Sequence, residues 1–248
     1  MRMWEVLKAY HRFWRYRLRT ERDELAFVFK QRLAGSTIID IGANRGAFSY
    51  WLHRCAGREG RVVAFEPQPE LGEFLTQLKK RLRLNQLTIV RNGVSDRPGT
   101  LQLVRPRGHW GGASFHLDPK QADCEVIPVP VTTLDDYASQ NDLGRVSFIK
   151  CDVQDHELSA FRGGVNLLTT HKPTLLVEQL DNVFQTREVP EFLYSLGYRG
   201  YFFYQRKLVG IEEWDRLRPE IAAPFLNYIY KFPPVVAAKP AIRRRRAA

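Results

Sequence analysis

The segment from Thr37 to Gly46 constrains the fold of this chain more than any other. Residues 37–41 have the composition of a buried strand, the turn Gly42-Ala43-Asn44-Arg45-Gly46 follows, and residues 48–56 are helix-like. This order is typical of the first strand–turn–helix unit of a doubly wound α/β fold. Gly42 permits a tight turn close to a ligand, and Gly46 permits close packing of helix and strand. The helix N-terminus would direct free amide hydrogens into the ligand crevice.

The same alternation of short apolar runs and helical stretches continues along the chain. We predict helices at 48–56, 69–84, 156–168 and 190–196. Strands are predicted at 37–41, 61–65, 87–90, 101–104, 126–131, 146–151, 174–178, 198–204 and 228–232. Because strands that alternate with helices form parallel sheets, we expect a doubly wound, mostly parallel sheet of about seven strands.

The two ends differ from the central domain, which we place at 36–232. Residues 1–35 are predicted to form a helical appendage that caps the domain. Its larger side chains form one stripe at spacings of three, four and seven, consisting of Trp4, Leu7, His11, Trp14, Leu18 and Leu25. We expect this stripe to pack on the domain, although a partner-binding or membrane face has the same pattern. Thr20-Glu21-Arg22-Asp23 has the form of a capping box and predicts a break near Thr20. Residues 233–248 are predicted to be a basic, disordered tail.

Composition narrows the classes of function. With 44% hydrophobic and 26% charged residues the chain is typical of a globular protein, and no run of about 18 apolar residues could span a bilayer. The N-terminus lacks the apolar run of a signal peptide, so the expected location is the cytoplasm. The three cysteines form no Cys-x-x-Cys pair, which indicates neither a zinc site nor a disulfide framework.

The net charge of +11 suits an anionic partner, either a nucleic acid or a membrane surface. The excess arginines crowd the first 22 residues and positions 243–246, at the two ends of the chain. Solvated ends account for such charge more simply than binding arms do, which argues against both partners. The sequence leaves the oligomeric state open.

Glu66 is the second feature that indicates a ligand. It ends the predicted strand 61–65, lies 20 residues beyond Gly46 and precedes Pro67. A carboxylate at this position can accept hydrogen bonds from both ribose hydroxyls of a nucleoside. The turn lacks the second glycine of a dinucleotide motif, and Asp40 would repel a pyrophosphate. An acid at position 40 suits the cationic amino group of methionine, so the sequence favours S-adenosyl-L-methionine over NAD.

Asp152 and Glu178 are predicted to face the same crevice. Asp152 follows the strand 146–151, and Glu178 ends the next strand. Ligands of open α/β sheets bind beyond the carboxyl ends of the strands. Asp152 could instead cap the following helix. The loop 107–112 is expected to lie over the sheet edge, where a substrate lid would sit.

Through these segments the chain resembles the FkbM-type methyltransferase family, over roughly residues 37–204. The similarity lies in Ile39 to Gly46, with Asn44 in place of the middle glycine, in Phe65-Glu66-Pro67, Asn92 to Gly99, Val131 to Tyr137, Phe148 to Glu157 and Leu176-Val177-Glu178. The resemblance implies a class I, Rossmann-like methyltransferase domain that uses S-adenosylmethionine. The cofactor-binding residues that it implies are Asp40, Gly42, Asn44, Gly46, Phe48, Glu66, Pro67, Val94 and Asp152.

The resemblance further implies methylation of a hydroxyl group on a small metabolite, a sugar, or a lipid-linked or polyketide acceptor. A hydroxyl needs a base to remove its proton, and the candidates, in order, are Asp152, Glu178, His156 and His109. For each histidine an ordinary structural role is simpler than a catalytic one. No metal is expected, because no second cluster of ligands accompanies Asp152.

One departure from the family pattern falls on the acceptor side. The family commonly has Asp-Val-Glu-Gly where this chain has Asp152-Val153-Gln154-Asp155. The substitution of glycine by Asp155 restricts the backbone, and Gln154 is neutral where the family has an acid. An altered acceptor or reduced activity would follow from this change.

Three other classes of function each fit part of the sequence. A nucleic-acid methyltransferase fits the charge, but residues 152–155 are not the Asn/Asp-Pro-Pro-Tyr/Phe motif of base-amine methylation, and the chain has no Pro-Cys pair. A non-catalytic binding protein of the same fold fits Gln154 and Asp155. An NAD-dependent oxidoreductase is disfavoured by the glycine spacing and Asp40.

Overall fold

The secondary structure follows the predicted alternation closely. The computed structural model describes residues 2–108, 110–120, 123–180, 187–221 and 225–233. Its strands are β1 (Thr37–Ile41), β2 (Arg61–Phe65), β3 (Leu87–Val90), β4 (Gly93–Val94), β5 (Gly99–Pro106), β6 (Cys124–Thr132), β7 (Val146–Cys151), β8 (Thr174–Leu180), β9 (Arg199–Tyr204), β10 (Lys207–Gly210) and β11 (Phe225–Lys231). Its helices are α1 (Met3–Arg15), α2 (Arg22–Val28), α3 (Ala47–Ala56), α4 (Pro69–Leu82), α5 (Leu134–Gln140), α6 (Glu157–Arg162), α7 (Val165–His171), α8 (Glu188–Ser195) and α9 (Trp214–Leu217).

The main sheet has eight strands in the order β10-β9-β11-β8-β7-β1-β2-β3. The five strands from β8 to β3 run parallel, and β11 and β10 are antiparallel to their neighbours. The predicted doubly wound, mostly parallel sheet is therefore confirmed, with one strand more than expected. The chain leaves β1 toward β2 on one side and returns as β7 on the other, which makes the carboxyl ends of β1 and β7 a topological switch point.

Two hydrophobic cores cover the two faces of this sheet. Alternate residues of each central strand point to opposite faces, so Ile39 packs with helices α5 to α9 and Ile38 packs with α1 to α4. A strand that is buried on both sides reads as a continuous apolar run, which explains why β1, β2 and β7 have the predicted bounds.

The predicted strand 126–131 does not belong to the main sheet. As β6 it pairs antiparallel with β5 and, at its end, parallel with β4, in a separate three-stranded sheet. Pro128 and Pro130 lack the N–H group that a strand with neighbours on both sides must donate. The two prolines therefore exclude β6 from the interior of a parallel sheet.

The predicted helix 156–168 is two helices, α6 and α7, separated by Gly163 and Gly164. A Cβ atom at Gly163 would lie 2.0 Å from the carbonyl oxygen of Ser95, and one at Gly164 would lie 2.8 Å from the side chain of Leu134. The helix ends here because the backbone must pass against the start of the second sheet and against α5.

The N-terminal appendage breaks near Thr20 as predicted, through a π-helical turn at Tyr16–Thr20. The predicted capping box is wrong, because Glu21 is the residue at the N-cap of α2 and its side chain makes no cap hydrogen bond. Glu21 instead accepts a hydrogen bond from Asn227 Nδ2 at 2.9 Å. A long-range contact has replaced the local one.

The predicted packing of the N-terminal stripe is also wrong. Its α1 and π-turn members are exposed, although the Trp14 ring meets the Trp51 ring of α3 edge-on, and Leu25 is the member that is buried. The face of α1 that packs on the domain consists of Val6, Ala9 and Phe13. The Phe13 ring stacks on Tyr50 with centroids 4.3 Å apart, and its carbonyl accepts a hydrogen bond from Trp51 Nε1 at 3.0 Å. Aromatic contacts with α3 selected this face.

Two further predictions concern a membrane-spanning helix and the C-terminal tail. Within the described ranges, no helix combines the length and the apolar character that crossing a membrane requires. The predicted basic tail, with Arg243 to Arg246, lies outside the described residues apart from position 233 and stays a prediction.

The packing of α1 on α3 gives a direct test of the corrected face. We expect Phe13→Ala to lower the free energy of unfolding by about 3–5 kcal/mol, because it removes a buried ring and leaves a cavity. Leu7→Ala, on the exposed face, should change it by no more than about 0.5 kcal/mol. Denaturant unfolding measures both variants, and equal effects would contradict the assigned faces.

Candidate active site

A cavity of about 450 Å³ opens at the carboxyl ends of β1, β2, β7 and β8. It falls in the usual size range of small-molecule sites, roughly 300–1,000 Å³. Its lining side chains come from the sheet edge, from the segment after β5 and from the N-terminal appendage, and include Glu66, Asp152, Glu178, Trp110, Phe115, Tyr16 and Glu21. A recess of about 100 Å³ continues beneath α1 and includes Arg12, Phe48 and Lys150.

Gly42 and Gly46 serve two different contacts. Gly42 has φ +79°, and a Cβ atom there would lie 1.9 Å from the carbonyl oxygen of Asp152. Glycine is therefore required for β1 and β7 to meet at the floor of the cavity. Gly46 has φ +75°, and its Cβ would lie 2.8 Å from the Leu75 side chain on α4. Gly46 thus serves packing between helices and does not line the cavity.

Glu66 lies at the end of β2 and lines the cavity while being almost fully buried. Its two oxygens accept hydrogen bonds from the backbone N–H groups of Asn44 at 2.7 Å and Gln68 at 3.0 Å. Burial raises the pKa of Glu66 to about 7, although these two bonds oppose the rise. Each carboxylate oxygen retains a lone pair for a further donor. Glu66 is therefore held in place and still able to bind a ligand.

Lys150, to which the sequence assigned no role, lies at the centre of the site. It stands opposite Asp40 in the pairing of β1 with β7, its Nζ is 2.9 Å from Asp152 Oδ2, and it lies 5.2 Å from the centre of the Phe48 ring. Burial by itself would lower the pKa of Lys150. The negative charges of Asp152, Asp40 and Glu178 outweigh burial and raise that pKa, so the side chain stays cationic.

Asp40 is fully buried beneath the cavity and does not line it. Its Oδ2 accepts a hydrogen bond from Ser49 Oγ at 2.5 Å, and its Oδ1 has no partner among the described residues. Burial raises the pKa of Asp40, and Lys150 opposes that rise. Asp40 is therefore placed to stabilise the positive charge of Lys150 rather than to contact a ligand in the cavity.

Glu178 and Glu21 bring two more carboxyl groups to the cavity wall. Burial, followed by the negative charge of Asp152, raises the pKa of Glu178 to about 8. Burial and the charge of Glu24 raise the pKa of Glu21 to about 8 as well. The recess that they share with Asp152 also contains Arg12, Arg45 and Lys150, so acidic and basic side chains are equal in number there. Glu21 and Glu178 therefore offer carboxyl groups for hydrogen bonding rather than a net negative charge.

Of the two histidines that the sequence offered as candidate bases, the structure describes one, His156, and it does not line the cavity. His156 is buried at the N-cap of α6 and is not among the lining residues. Its Nε2 lies 3.0 Å from Ser95 Oγ and its Nδ1 lies 3.0 Å from His116 Nε2. Burial lowers the pKa of His156 to about 4. Both ring nitrogens are engaged within the protein, and His109 lies outside the described residues.

The remaining predicted cofactor residues divide between the cavity and the core. Asn44, Phe48 and Pro67 line the cavity or its recess. Val94 is buried in the hydrophobic core and lines neither. In the part of the chain that the structure describes, no group of three or more His, Cys, Asp or Glu side chains is arranged to hold a metal ion.

The segment after β5 covers one side of the cavity. Residues Trp110–Gly112 form a 3-10 turn, and the Trp110 ring lies 5.5 Å from the Arg45 guanidinium and 5.9 Å from that of Arg105. Gln68 Nε2 donates to the Trp110 carbonyl at 3.1 Å. Arg105 is neutralised by Glu70 and Glu125, both at 2.8 Å. Arg45 forms no ion pair within the described ranges and is an exposed cation at the cavity mouth.

Gln154 and Asp155, where the chain departs from the family pattern, both have left-handed backbones. Their φ values are +54° and +75°. Gln154 Nε2 donates to Asp152 Oδ1 at 3.1 Å, so both oxygens of Asp152 are held. The buried Oδ1 of Asp155 has no partner among the described residues. The neutral amide thus supports Asp152, whereas Asp155 carries the backbone cost that glycine would avoid.

Sequence reasoning missed five residues that the fold brings to this site. Lys150 had a local signal, a charge inside an apolar strand. Arg45 and Trp110 lie in the turn and the loop that the sequence placed beside a ligand, whereas Tyr16 and Glu21 had no signal. These four reach the cavity from turns and from the appendage. Their contribution depends on how distant segments pack.

Comparisons with known proteins agree with this geometry. The model of the methyltransferase FkbM domain family matches residues 40–199. Hexuronic acid methyltransferase AglP of Haloferax volcanii is 23% identical over 165 residues, which cover 66% of this chain and 64% of that protein. The crystal structure of methyltransferase FkbM from Methylobacillus flagellatus superposes with a TM-score of 0.54 at 17% identity, over 81% of this chain and 45% of that one. This chain spans less than two thirds of either relative, and the predicted class I methyltransferase fold is confirmed.

The left-handed backbone of Asp155 yields a stability test. We expect Asp155→Gly to raise the free energy of unfolding by about 1 kcal/mol, because glycine relieves the strained φ and the change removes a buried carboxyl oxygen that has no partner among the described residues. The same change at Asp136, in the first turn of α5, should lower it by about 0.5–1 kcal/mol. Denaturant unfolding distinguishes the two, and a loss of stability in Asp155→Gly would contradict the assigned strain.

Proposed function

Because the chain belongs to the methyltransferase FkbM domain family, we propose that it transfers a methyl group from S-adenosylmethionine to a hydroxyl group of a sugar-like acceptor. The observation that carries this proposal is the shared cavity. It combines Glu66 and the Gly42 turn with Asp152 and Glu178, at the ends of the four neighbouring strands β2, β1, β7 and β8. The first pair suits a nucleoside, and the second suits an acceptor that must lose a proton.

The residues of the cavity fit S-adenosylmethionine. When bound, this cofactor supplies an electrophilic methyl group on a positively charged sulfur. Glu66 has acceptor capacity left for ribose hydroxyls, and the backbone at Gly42 allows a close approach of the methionine portion. The carboxyl groups of Asp152 and Glu178 offer hydrogen-bond acceptors for the amino group of that portion.

Glu178 is the residue that we propose as the general base. Both oxygens of Asp152 already accept hydrogen bonds, from Lys150 and Gln154, whereas the side chain of Glu178 has no hydrogen-bond partner within the described ranges. A pKa near 8 makes the ionised form of Glu178 a stronger base than an ordinary carboxylate, and this form predominates above pH 8. Glu178 would take the proton of the acceptor hydroxyl as that oxygen receives the methyl group, and the electron pair of the broken carbon–sulfur bond would remain on the cofactor sulfur. Asp152, fixed by Lys150, provides the negative charge beside this exchange.

We propose an acidic sugar as the acceptor. The relative from Haloferax volcanii is named a hexuronic acid methyltransferase. At the mouth of this cavity, Trp110 presents a flat apolar ring and Arg45 an unpaired guanidinium. A guanidinium binds a carboxylate through paired hydrogen bonds, and the ring offers a surface for the face of a sugar. The inner wall presents the carboxyl groups of Asp152 and Glu178, so the charged donors suited to a sugar carboxylate lie at the mouth, on Arg45.

The acceptor assignment is tested by transfer of labelled methyl groups from S-adenosylmethionine to glycosides of glucuronic acid and of glucose. We expect methylation of the uronic acid, and an increase of about 10-fold or more in its KM in Arg45→Ala, since a charged hydrogen bond is lost. The KM for the glucose glycoside should be unchanged in this variant. Glu66→Ala, the control for the cofactor site, should lose affinity for S-adenosylhomocysteine in calorimetry.

Two outcomes would favour other functions. Methyl incorporation into RNA or DNA, but into no sugar, would support the nucleic-acid alternative. Binding of S-adenosylmethionine without turnover on any hydroxylated acceptor would support a non-catalytic protein of this fold.

The general base is tested by the pH dependence of the reaction. A carboxyl whose pKa is raised to about 8 is mostly protonated at pH 7, so kcat/KM should rise as the pH increases through 8. We expect Glu178→Gln to remove this rise and to lower kcat at least about 100-fold. Glu21→Gln is the matched control, because the pKa of Glu21 is also raised to about 8. A rise of kcat/KM with pH that is lost in Glu21→Gln but retained in Glu178→Gln would refute the assignment.

A further inference from the structure

Helix α1 and the π-turn that follows it carry a second apolar face that is largely exposed, although Tyr10 and Trp14 touch rings of α3 at its border. We call it the outer face, and it consists of Met3, Trp4, Leu7, Tyr10, Trp14 and Leu18. Spacings of three, four and seven place these side chains along one side of the helix. Leu7 is 63% exposed, Leu18 59% and Trp14 46%. Proteins that stay monomeric in water rarely expose a continuous apolar patch of large side chains, so the outer face indicates a binding surface.

The charge beside the outer face indicates an anionic occupant. Residues 2–19 contain six arginines and lysines and one acidic residue, Glu5. The cations lie at the border of the aromatic rings: Lys8 Nζ is 4.0 Å from the centre of the Trp4 ring, and the Arg17 guanidinium is 5.1 Å from that of Trp14. Tryptophan beside long basic side chains is the composition of helices that lie in the headgroup region of a bilayer. A second copy of the chain would bring like charges together.

The outer face also adjoins the mouth of the cavity. A groove of about 210 Å³ runs between α1 and α4, and its lining includes Trp4, Lys8, Arg45 and Trp110. Trp4 therefore belongs both to the outer face and to the groove that leads to the proposed sugar-binding residues. A surface that covers the outer face would lie next to the cavity mouth.

We propose that α1 docks this protein on an anionic lipid bilayer through the outer face and so presents the cavity to a sugar carried on a lipid. The docking rests on exposure and charge alone, and the lipid-borne acceptor rests in addition on the proposed function. Apolar side chains enter the boundary between headgroups and acyl chains, while the arginines pair with lipid phosphates.

Sedimentation with vesicles tests the docking without cofactor or acceptor, so its failure is distinguishable from failure of the proposed function. We expect the full chain to bind vesicles of phosphatidylcholine with about 30% phosphatidylglycerol at least 10-fold more tightly than vesicles of phosphatidylcholine alone. Rising salt should weaken this binding. The double variant Leu7→Ser with Leu18→Ser should bind the anionic vesicles at least 10-fold more weakly, because two apolar side chains no longer enter the bilayer.

Three controls separate binding through the outer face from binding through the rest of the chain. Val126→Ser replaces an exposed apolar side chain on β6 and should leave vesicle binding unchanged. Replacement of Arg243 to Arg246 by serine measures the contribution of the basic C-terminal run. Circular dichroism and the affinity for S-adenosylhomocysteine should match the unmodified protein in the double variant, since neither leucine touches the cavity.

Several results would overturn the proposal. Vesicle binding that is absent, or equally strong in the Leu7 and Leu18 double variant, would exclude docking through the outer face. Binding that is lost when Arg243 to Arg246 are replaced but retained in the double variant would assign it to the C-terminal run. Self-association in sedimentation velocity that the double variant abolishes would identify the outer face as an interface between copies of the chain.

Discussion

The buried ammonium group of Lys150 is the interaction on which the centre of this protein depends. It lies on β7 opposite Asp40 on β1, bonds to Asp152, and is drawn to Glu178 on β8. Removing one partner from a buried cluster of charges leaves the others uncompensated, which costs several kcal/mol. Without Lys150, the strand ends that form the cavity floor would bring like charges together. Its cation allows three acidic groups to converge where the proposed reaction needs them.

The N-terminal appendage connects fold, site and the proposed membrane surface. Phe13 anchors α1 on α3 through ring stacking and a hydrogen bond from Trp51. That contact sets the rotation of the helix, which in turn places Tyr16 and Glu21 in the cavity wall and leaves the outer face exposed. The appendage is thus part of the site, although it lies outside the residues that the family model matches. A domain defined by residues 40–199 alone would lack one wall of its cavity.

The two residues that depart from the family pattern, Gln154 and Asp155, have different effects in the structure. Gln154 donates to Asp152, so a neutral amide fixes this carboxylate where a glutamate would repel it. Asp155 adopts a left-handed backbone that glycine adopts without strain, which costs stability without changing the lining of the cavity. The first substitution adjusts the chemistry beside the proposed base, and the second affects mainly the turn. Loss of the family pattern here is therefore compatible with an active site.

The sequence by itself determined the doubly wound sheet and the residues at the ends of its central strands. Strands β1, β2, β3 and β7 have their predicted bounds. Three of them, β1, β2 and β7, are buried on both faces and are apolar along most of their length, whereas β3 lies at the edge of the sheet. The strand-end positions of Glu66, Asp152 and Glu178 follow from that frame, since parallel strands end at one edge. Only the tertiary structure decided which apolar face of α1 is covered, that β6 joins a second sheet, and that Lys150, Glu21 and Trp110 complete the site. Helical periodicity shows that a face is apolar, but the contacts that choose between two such faces join residues far apart in the chain, and local patterns do not contain them.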